Sequence, residues 1–274
     1  MTEKTVLITG CSSGIGRATA KAFLDDGWTV YATGRDEADV ADLGEEGCRT
    51  AALDVTEDEA VTRVVDRIGE EVGHVDCLVN NAGYGQYGPL EDIPAERLHE
   101  QFDVNVYGPH RLIRAVLPLM RAREDGTIVN VSSVNGHVSV PGGGAYAASK
   151  FALEAMSDAL RAEVDSVGVD VVVVAPGPVE TGFEERAAEE VDGLDRRRTY
   201  GWVYEAFEDT SLVAGSLPWA LAPGDVATVI HDAACLDDPD PRYQVGRFAS
   251  YATAARYLPA RLRDAVFGLV RRLM

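Results

Sequence analysis

Two residues with a clear chemical potential stand four positions apart, Tyr146 and Lys150 in Tyr-Ala-Ala-Ser-Lys. Residues at this spacing share one face of a helix, so a phenol and an ammonium can address one site. A phenol with a pKa of about 10 is a slow acid-base group at neutral pH, but an opposite charge within about 4–6 Å shifts a pKa by about 1–3 units. The pair suits proton donation to the alkoxide that forms when a carbonyl is reduced.

The chance explanation of this pair is weakened by the lysine count. Only three lysines stand beside 22 arginines, yet one of them follows a tyrosine at helical spacing. Arginine is bulkier and more basic, and it would not replace lysine at a compact contact.

Further polar candidates precede Tyr146. Ser133 stands thirteen residues before it and could donate a hydrogen bond to a carbonyl oxygen. Asn105 lies in a helical pattern although asparagine is a poor helix former, and taken alone it indicates a kink or a surface position. Asn135 and His137 are candidates for substrate contact, although a lone histidine there is more typical of a loop.

A glycine-rich turn follows the first apolar run, reading Thr-Gly-Cys-Ser-Ser-Gly-Ile-Gly over 9–16. Its glycines allow a sharp turn and a close approach to a pyrophosphate, which the N-terminus of the following helix favours. The spacing is GxxxGxG rather than GxGxxG.

The second apolar run ends in Gly34-Arg35-Asp36. An enzyme that uses NAD commonly places an acidic residue here, whereas arginine suits the 2′-phosphate of NADP. We therefore expect NADP(H) to be preferred over NAD(H), with Ser12 and Ser13 as nearby donors and Asp36 as the alternative ribose ligand.

The elements that must position these residues follow from six short apolar runs: Thr5–Thr9, Thr29–Thr33, Arg49–Leu53, Cys77–Asn80, Thr127–Val131 and Val169–Ala175. Runs without alternation, separated by helical patterns, are typical of a parallel sheet that is buried on both faces. The sequence predicts an α/β fold of the Rossmann type: a doubly wound parallel sheet in a three-layer α/β/α sandwich, as a single domain over 1–274. Ligands in such sheets bind beyond the carboxyl ends of the strands.

Taken together, the ordered motifs from Thr5 to about Thr181 resemble the short-chain dehydrogenase/reductase family. They include Asn80-Asn81-Ala82-Gly83 and Pro176-Gly177-Pro178-Val179-Glu180-Thr181. The resemblance implies NADP(H)-dependent carbonyl and alcohol interconversion. It assigns catalysis to Asn105, Ser133, Tyr146 and Lys150, and cofactor binding to Gly10, Ser12, Ser13, Gly14, Ile15, Gly16, Arg35, Asp54, Val55, Asn81, Ala82, Gly83, Asn105, Tyr146, Lys150, Pro176, Gly177, Val179 and Thr181.

Individual roles also come from this resemblance. Asp54 and Val55 meet the adenine, although Asp54 could instead cap a helix. Asn105 holds a water in the proton relay, and Val179 and Thr181 hold the nicotinamide carboxamide. The motifs are most similar to the branch of 17β-hydroxysteroid and retinol dehydrogenases, which implies a bulky apolar carbonyl or alcohol substrate.

The segment from 176 to about 223 is predicted to form a helical substrate lid. It is rich in large apolar side chains, which can line a pocket or pack on the lid's own domain: Phe183, Tyr200, Trp202, Tyr204, Phe207, Leu212, Leu217 and Trp219.

The C-terminal extension, about 247–274, is predicted to be a basic amphipathic helix. From Pro241 onward the chain carries seven arginines and one acid, and Leu258, Leu262, Val266, Leu269 and Leu273 recur at helical spacing. We expect it to pack on the acidic body of the protein. Covering the substrate mouth, packing in an oligomer and resting on an anionic membrane are the alternatives.

Composition limits the remaining function classes. The formal charge of −20 argues against nucleic-acid binding, and an acidic, lysine-poor surface favours a halophilic source over an ordinary acidic protein. Scattered cysteines and histidines predict free thiols and no metal. The absence of a leader pattern or long apolar run predicts a cytoplasmic protein.

The resemblance implies a homodimer or homotetramer built through the helices corresponding to Pro109–Met120 and Ala145–Asp165. Two alternative functions remain: an enzyme like 3-oxoacyl carrier-protein reductase, and a non-catalytic NADP-binding redox sensor.

Overall fold

A seven-stranded parallel sheet forms the centre of the protein in a computed structural model that describes residues 4–208, 220–246, 249, 253 and 256–273. Its strand order is β3-β2-β1-β4-β5-β6-β7. The strands are β1 (Thr5–Ile8), β2 (Thr29–Gly34), β3 (Arg49–Ala52), β4 (Cys77–Asn80), β5 (Gly126–Val131), β6 (Val169–Pro176) and β7 (Arg242–Val245). The predicted doubly wound α/β fold is confirmed.

Helices cover both faces of the sheet. In the described residues they are α1 (Gly14–Asp25), α2 (Ala41–Glu46), α3 (Asp58–Glu71), α4 (Ala95–Phe102), α5 (Gly108–Arg123), α6 (Gly144–Val164), α7 (Phe183–Asp192), α8 (Gly201–Glu208), α9 (Pro223–Cys235) and α10 (Ala260–Leu273). One apolar core joins the sheet to Phe23 of α1 and Ile230 of α9, and a second joins the opposite face to Ile68 of α3 and Leu112 of α5. This gives the expected three layers.

The strand order reverses at β1, which pairs with β2 on one side and with β4 on the other. The helix after β1 packs on one face of the sheet, and α5, which follows β4, packs on the opposite face. Beyond this point the chain after β1 meets the chain after β4. The adjoining strands β4 and β5 are joined by a buried polar pair, because the Asn80 amide donates to Asn130 Oδ1 at 2.8 Å and Asn130 donates to Ser157 Oγ at 2.9 Å. The amides fix the ends of the strands that carry the site.

The seventh strand, β7, was not among the six predicted. Its sequence, Arg-Tyr-Gln-Val, lacks an apolar run, and only Val245 is buried in it. Pairing with β6 forms this strand, and Arg242 adds an ionic contact. The Arg242 guanidinium donates to Glu154 Oε2 from Nε at 2.9 Å and from Nη2 at 2.7 Å, and it also donates to Asp158.

We expect Arg242→Met to lower the free energy of unfolding by about 3 kcal/mol, because it leaves the Glu154 carboxylate, 5% exposed, without its cation. Urea unfolding measures the effect. Lys21→Met removes the solvent-exposed pair with Glu46 and should cost less than about 1 kcal/mol. Equal losses in the two variants would contradict this role of Arg242.

Candidate active site

A cavity of about 800 Å³ opens beyond the carboxyl ends of the strands, and we call it the central cavity. All predicted catalytic and cofactor-binding residues line it except Gly16 and Asn105. The predicted residues that line its wall are Gly10, Ser12, Ser13, Gly14, Ile15, Arg35, Asp54, Val55, Asn81, Ala82, Gly83, Ser133, Tyr146, Lys150, Pro176, Gly177, Val179 and Thr181. Motifs from Gly10 to Thr181 are therefore brought together around one space.

The turn between β1 and α1 passes very close to the loop after β4. A Cβ at Gly16 would lie 2.3 Å from the Gly10 carbonyl oxygen and 2.4 Å from Asn81 Nδ2, so no side chain fits there. The Asn81 amide donates to the carbonyls of Thr9 at 2.8 Å and Gly10 at 3.1 Å. Gly16 therefore acts behind the wall, by allowing this approach.

The same turn uses backbone conformations that favour glycine. Gly10 has a φ of +71° and Gly14 a φ of +56°. A Cβ at Gly14 would lie 3.0 Å from Thr181 Cγ2, so the beginning of the lid packs against the turn. The result is a bare backbone cradle at the N-terminus of α1, which fits a pyrophosphate.

Asp36, the alternative ribose ligand, and Asp54, the alternative helix cap, both accept hydrogen bonds from nearby residues. Asp36 Oδ1 accepts from the Ala38 backbone N–H at 2.9 Å and caps a short 3₁₀ turn, whereas Arg35 lines the cavity. Asp54 accepts from the backbone N–H and the hydroxyl of Thr56. Asp54 does not cap α3, whose N-cap position is Glu57, so the helix-cap alternative is wrong.

Asn105 lies in a π-helical turn, Asp103–Tyr107, between α4 and α5. Its side chain is 1% exposed and clamps Tyr84: Oδ1 accepts from the Tyr84 N–H at 3.1 Å, and Nδ2 donates to the Tyr84 carbonyl at 2.9 Å. Nδ2 also donates to Ser149 Oγ at 3.0 Å. The surface position that the residue type indicates is wrong because Asn105 is buried; a π turn interrupts the helical pattern instead, and such turns are frequent at functional sites. Asn105 supports the wall from behind.

Tyr146 lies in the wall of the central cavity on α6, 7% exposed. Burial raises the pKa of Tyr146 to about 12, while a hydrogen bond with the Ser133 side chain lowers it. The Ser133 hydroxyl also accepts from the Asn135 N–H at 3.2 Å. Tyr146 is therefore protonated at neutral pH and sits beside a second hydroxyl.

Lys150 approaches the same place from the next turn of α6. Its Nζ donates to the Val131 carbonyl at 2.9 Å and lies 5.8 Å from the centroid of the Tyr146 ring. Burial lowers the pKa of Lys150 to about 8, and the charge of Glu154 raises it. The prediction that Lys150 lowers the Tyr146 pKa toward neutral pH is wrong for the protein alone, because burial raises this pKa and Ser133, rather than Lys150, provides the interaction that lowers it.

His137 does not line the cavity, in contrast to Asn135. It is 3% exposed, with Nε2 3.4 Å from Glu154 Oε1, and burial holds its pKa below the ordinary value although Glu154 raises it. The suggestion that His137 touches the substrate is wrong because the 3₁₀ turn Val134–Gly136 directs it into the protein.

Of the aromatic side chains in the segment predicted to be a lid, some line the cavity and others pack on the protein. Phe183 lines the cavity with its ring centroid 5.5 Å from that of Tyr146, and Tyr87 lies 5.4 Å from Tyr146. Tyr204 instead packs inward and donates to Asp92 Oδ2 at 2.6 Å. Leu212, Leu217, Trp219 and the side chain of Phe207 lie outside the described residues.

Arg186 is a cavity residue that the sequence did not single out. It lies on α7, lines the central cavity, and places Nη2 3.4 Å from Ser13 Oγ in the glycine-rich turn. Only its position in the segment predicted as a lid pointed to it, because arginine is common throughout this chain.

The family model for the short chain dehydrogenases matches residues 4–192. The chain belongs to this family. Among curated relatives, this chain is 36% identical over 269 residues to the uncharacterized oxidoreductase YbbO of Escherichia coli, covering 96% of this chain and 94% of that protein. It is 39% identical over 243 residues to retinol dehydrogenase 8 of Bos taurus, with 83% and 76% covered. It is 32% identical over 274 residues to the NADPH-dependent 3-dehydrocapnine reductase of Ornithobacterium rhinotracheale, with 95% of each covered.

Solved structures agree with this assignment. A short-chain dehydrogenase from Streptomyces avermitilis superposes with a TM-score of 0.84 at 33% identity, covering 99% of this chain and 98% of that one. The closed form of a serine dehydrogenase complexed with NADP⁺ superposes with a TM-score of 0.78 at 28% identity, covering 89% of this chain and 95% of that one. A family member from Burkholderia phymatum in complex with NAD superposes at 0.76 with 28% identity and 88% of each covered. Similar proteins therefore bind either nicotinamide dinucleotide.

The four cysteines are free, as predicted. Within the described part of the chain, no helix combines the length and the apolar character that spanning a membrane requires. In the C-terminal extension, Leu258 and Leu262 are exposed, and the side chains of Val266, Leu269 and Leu273 lie outside the described residues.

The pKa of Lys150 predicts how stability changes with pH. The folded group loses its proton near pH 8, whereas the unfolded group, with a pKa of 10.5, keeps it, so the unfolded state binds more protons between these values. The free energy of unfolding of the natural protein, relative to Lys150→Met, should therefore rise by roughly 2–3 kcal/mol between about pH 7 and 10. Urea unfolding of both proteins at each pH measures this, and parallel curves would contradict it.

Proposed function

We propose that this dehydrogenase interconverts a carbonyl and an alcohol on a bulky apolar substrate with NADP(H), using Tyr146 as the general acid and base. The observation that carries the proposal is the shared cavity. Its wall contains Tyr146, Ser133 and Lys150 and also the glycine-rich turn that forms the cradle. A dinucleotide held in that cradle supplies or accepts the hydride.

In the reducing direction, the chain's residues handle the proton. The Tyr146 hydroxyl, protonated at neutral pH, donates its proton to the carbonyl oxygen as that oxygen gains negative charge. Ser133 donates a hydrogen bond to the same oxygen and orients it. The Lys150 ammonium stabilises the resulting phenolate until it is reprotonated from solvent. Oxidation of an alcohol reverses these proton transfers.

Asn105 contributes indirectly to this arrangement. By holding the Tyr84 backbone and Ser149, it fixes the loop after β4 against α6, which carries Tyr146 and Lys150. The water-holding role assigned by resemblance remains part of the proposal.

The preference for NADP(H) rests on the residues after β2. Arg35 lines the cavity, while the Asp36 carboxylate accepts the backbone N–H of Ala38 and is absent from the cavity wall. A guanidinium there suits a 2′-phosphate, and an acidic residue engaged in a cap is poorly placed for a ribose 2′-hydroxyl.

The bulky apolar substrate rests on the rings around Tyr146. Phe183 and Tyr87 flank the phenol, and Val140 also lines this part of the cavity. The similarity to a retinol dehydrogenase and to a 3-dehydrocapnine reductase, whose name specifies NADPH, supports the same substrate class and cofactor. The halophilic source, cytoplasmic location and homodimer or homotetramer remain predictions.

The chemical role of Tyr146 is tested by NADPH absorbance against steroid, retinoid and aromatic carbonyls. Tyr146→Phe should lower kcat by roughly 10²- to 10⁴-fold, the range typical of a lost general acid, with NADPH binding retained by fluorescence titration. Tyr84→Phe, another phenol in the cavity wall, is the matched control and should retain activity. Tight NADPH binding without turnover across the panel would instead support the redox-sensor alternative.

Arg35→Leu should lower kcat/KM with NADPH by about 10- to 100-fold through the loss of a charged hydrogen bond, and leave kcat/KM with NADH nearly unchanged. Arg186→Leu is the contrasting variant: near the glycine-rich turn, its guanidinium suits the pyrophosphate that both cofactors share. Steady-state kinetics with both cofactors distinguish the two arginines. An unchanged NADPH-to-NADH ratio in Arg35→Leu would remove the basis for the NADP preference.

A further inference from the structure

A group of three potential metal ligands lies where the C-terminal end of α1 meets α9. The carboxylate of Asp26, the imidazole of His231 and the thiol of Cys235 place their ligand atoms within 4.8 Å of one another. None of them lines the central cavity, so this group is separate from the candidate active site.

The distances from His231 to the other two ligand atoms fit one small ion, and all three ligand atoms lie within 4.8 Å of one another. His231 Nε2 lies 3.2 Å from Asp26 Oδ2 and 3.7 Å from Cys235 Sγ. With zinc bonds of about 2.0 Å to nitrogen and oxygen and about 2.3 Å to sulfur, tetrahedral geometry separates N from O by about 3.3 Å and N from S by about 3.5 Å. The same imidazole nitrogen faces both other ligands, which is the arrangement that a shared ion needs.

Rigid elements hold the ligands. His231 and Cys235 are four residues apart on α9, so their side chains share one face. Asp26 is the residue after α1, and its backbone N–H bonds the Ala22 carbonyl at 3.3 Å. The turn then continues through Gly27, with a φ of +79°, to Trp28.

Surrounding groups support these ligands. Trp28 Nε1 donates to Asp26 Oδ2 at 3.1 Å, and Asp232 Oδ1 approaches His231 Nδ1 at 3.6 Å, on the side of the ring away from the other ligands. A carboxylate beside the second imidazole nitrogen is common at metal sites because it orients the ring. The His231 ring also packs edge-on against Phe23, with centroids 5.0 Å apart.

We infer that Asp26, His231 and Cys235 bind one Zn²⁺ ion in a four-coordinate site whose remaining position is open to solvent. Thiolate, imidazole and carboxylate are the ligand types that zinc accepts, and a thiolate disfavours magnesium and calcium. The Asp26 side chain is 55% exposed, which leaves a path for the ion and for a water ligand. The site would fasten α1, which begins at the glycine-rich turn, to α9. This role is structural and independent of the proposed oxidoreductase activity.

Cobalt(II) is the direct probe, since four-coordinate Co²⁺ has strong visible ligand-field bands and a bound thiolate adds a near-ultraviolet charge-transfer band. We expect both in the chelator-treated full-length protein titrated with Co²⁺, saturating at one ion per chain and reversed by Zn²⁺. Cys235→Ser should remove the charge-transfer band, and His231→Ala and Asp26→Asn should weaken or remove binding. His110→Ala, at an exposed histidine on α5, is the matched control and should bind as the natural protein does.

Thermal unfolding gives an independent readout. Zinc at about 100 times its dissociation constant should raise the unfolding midpoint by about 5–10 °C, and Cys235→Ser should abolish the rise without lowering the metal-free midpoint. Weak six-coordinate cobalt bands, or a charge-transfer band and a zinc-induced rise that survive in Cys235→Ser, would overturn the proposal. Either outcome would leave the Asp26–His231 contact as an ordinary surface ion pair.

Discussion

The close approach of two backbones, at the turn after β1 and the loop after β4, is the constraint on which the site depends. Gly16 has no room for a Cβ, and Asn81 fills the remaining space by binding the Thr9 and Gly10 carbonyls. Thr9 completes the junction, since its hydroxyl accepts the N–H groups of Asn81 and Ala82. Because both segments belong to adjacent central strands, the sheet fixes the cradle before any ligand binds. A side chain at this junction would separate the two strands' carboxyl ends.

A second constraint is the burial of charge beneath the catalytic wall. Lys150 and Glu154 are both within the protein, and Arg242 reaches Glu154 from the sheet edge. The buried oxygen Glu154 Oε1 and nitrogen His137 Nε2 face one another without a hydrogen bond that meets normal geometry. A buried ammonium needs compensating negative charge, and Arg242 of the edge strand β7 contributes by holding the Glu154 carboxylate that supplies this charge. Stability and the protonation of Lys150 are thus linked.

Much of the fold could be predicted because five strands, β1, β2, β4, β5 and β6, are apolar runs buried along almost their whole length, and the edge strand β3 keeps a short apolar stretch although only Ala51 is buried in it. β7 escaped because Arg-Tyr-Gln-Val becomes a strand only by pairing with β6 and by the ion pair of Arg242, and neither is a local property. The candidate site could be predicted from the sequence for a related reason. Its residues occur in short ordered motifs at strand ends, so their convergence follows once the sheet is parallel.

What the sequence could not supply was the direction of individual side chains. Asn105 lines no part of the cavity and holds a backbone loop, His137 turns inward to Glu154, and Arg186 reaches Ser13 from another segment. Each depends on tertiary packing: a π turn, a 3₁₀ turn and the orientation of α7. The group of Asp26, His231 and Cys235 was hidden for the same reason, since 205 positions separate the aspartate from the histidine.

The distribution of charge has a consequence for how fast an anionic dinucleotide arrives. The chain carries a net charge of −20, and the cavity wall contains three cationic side chains, Arg35, Lys150 and Arg186, beside the acidic side chains Asp39, Asp54, Glu100, Glu189 and Glu190. At low ionic strength the long-range field of the whole protein opposes a polyanion, and only direct contacts with the cationic side chains favour it. Salt near 1 M shortens the Debye length to about 3 Å, which removes the distant repulsion and leaves direct contacts less affected. Association with the cofactor should then quicken as salt is added, the reverse of ordinary electrostatic steering.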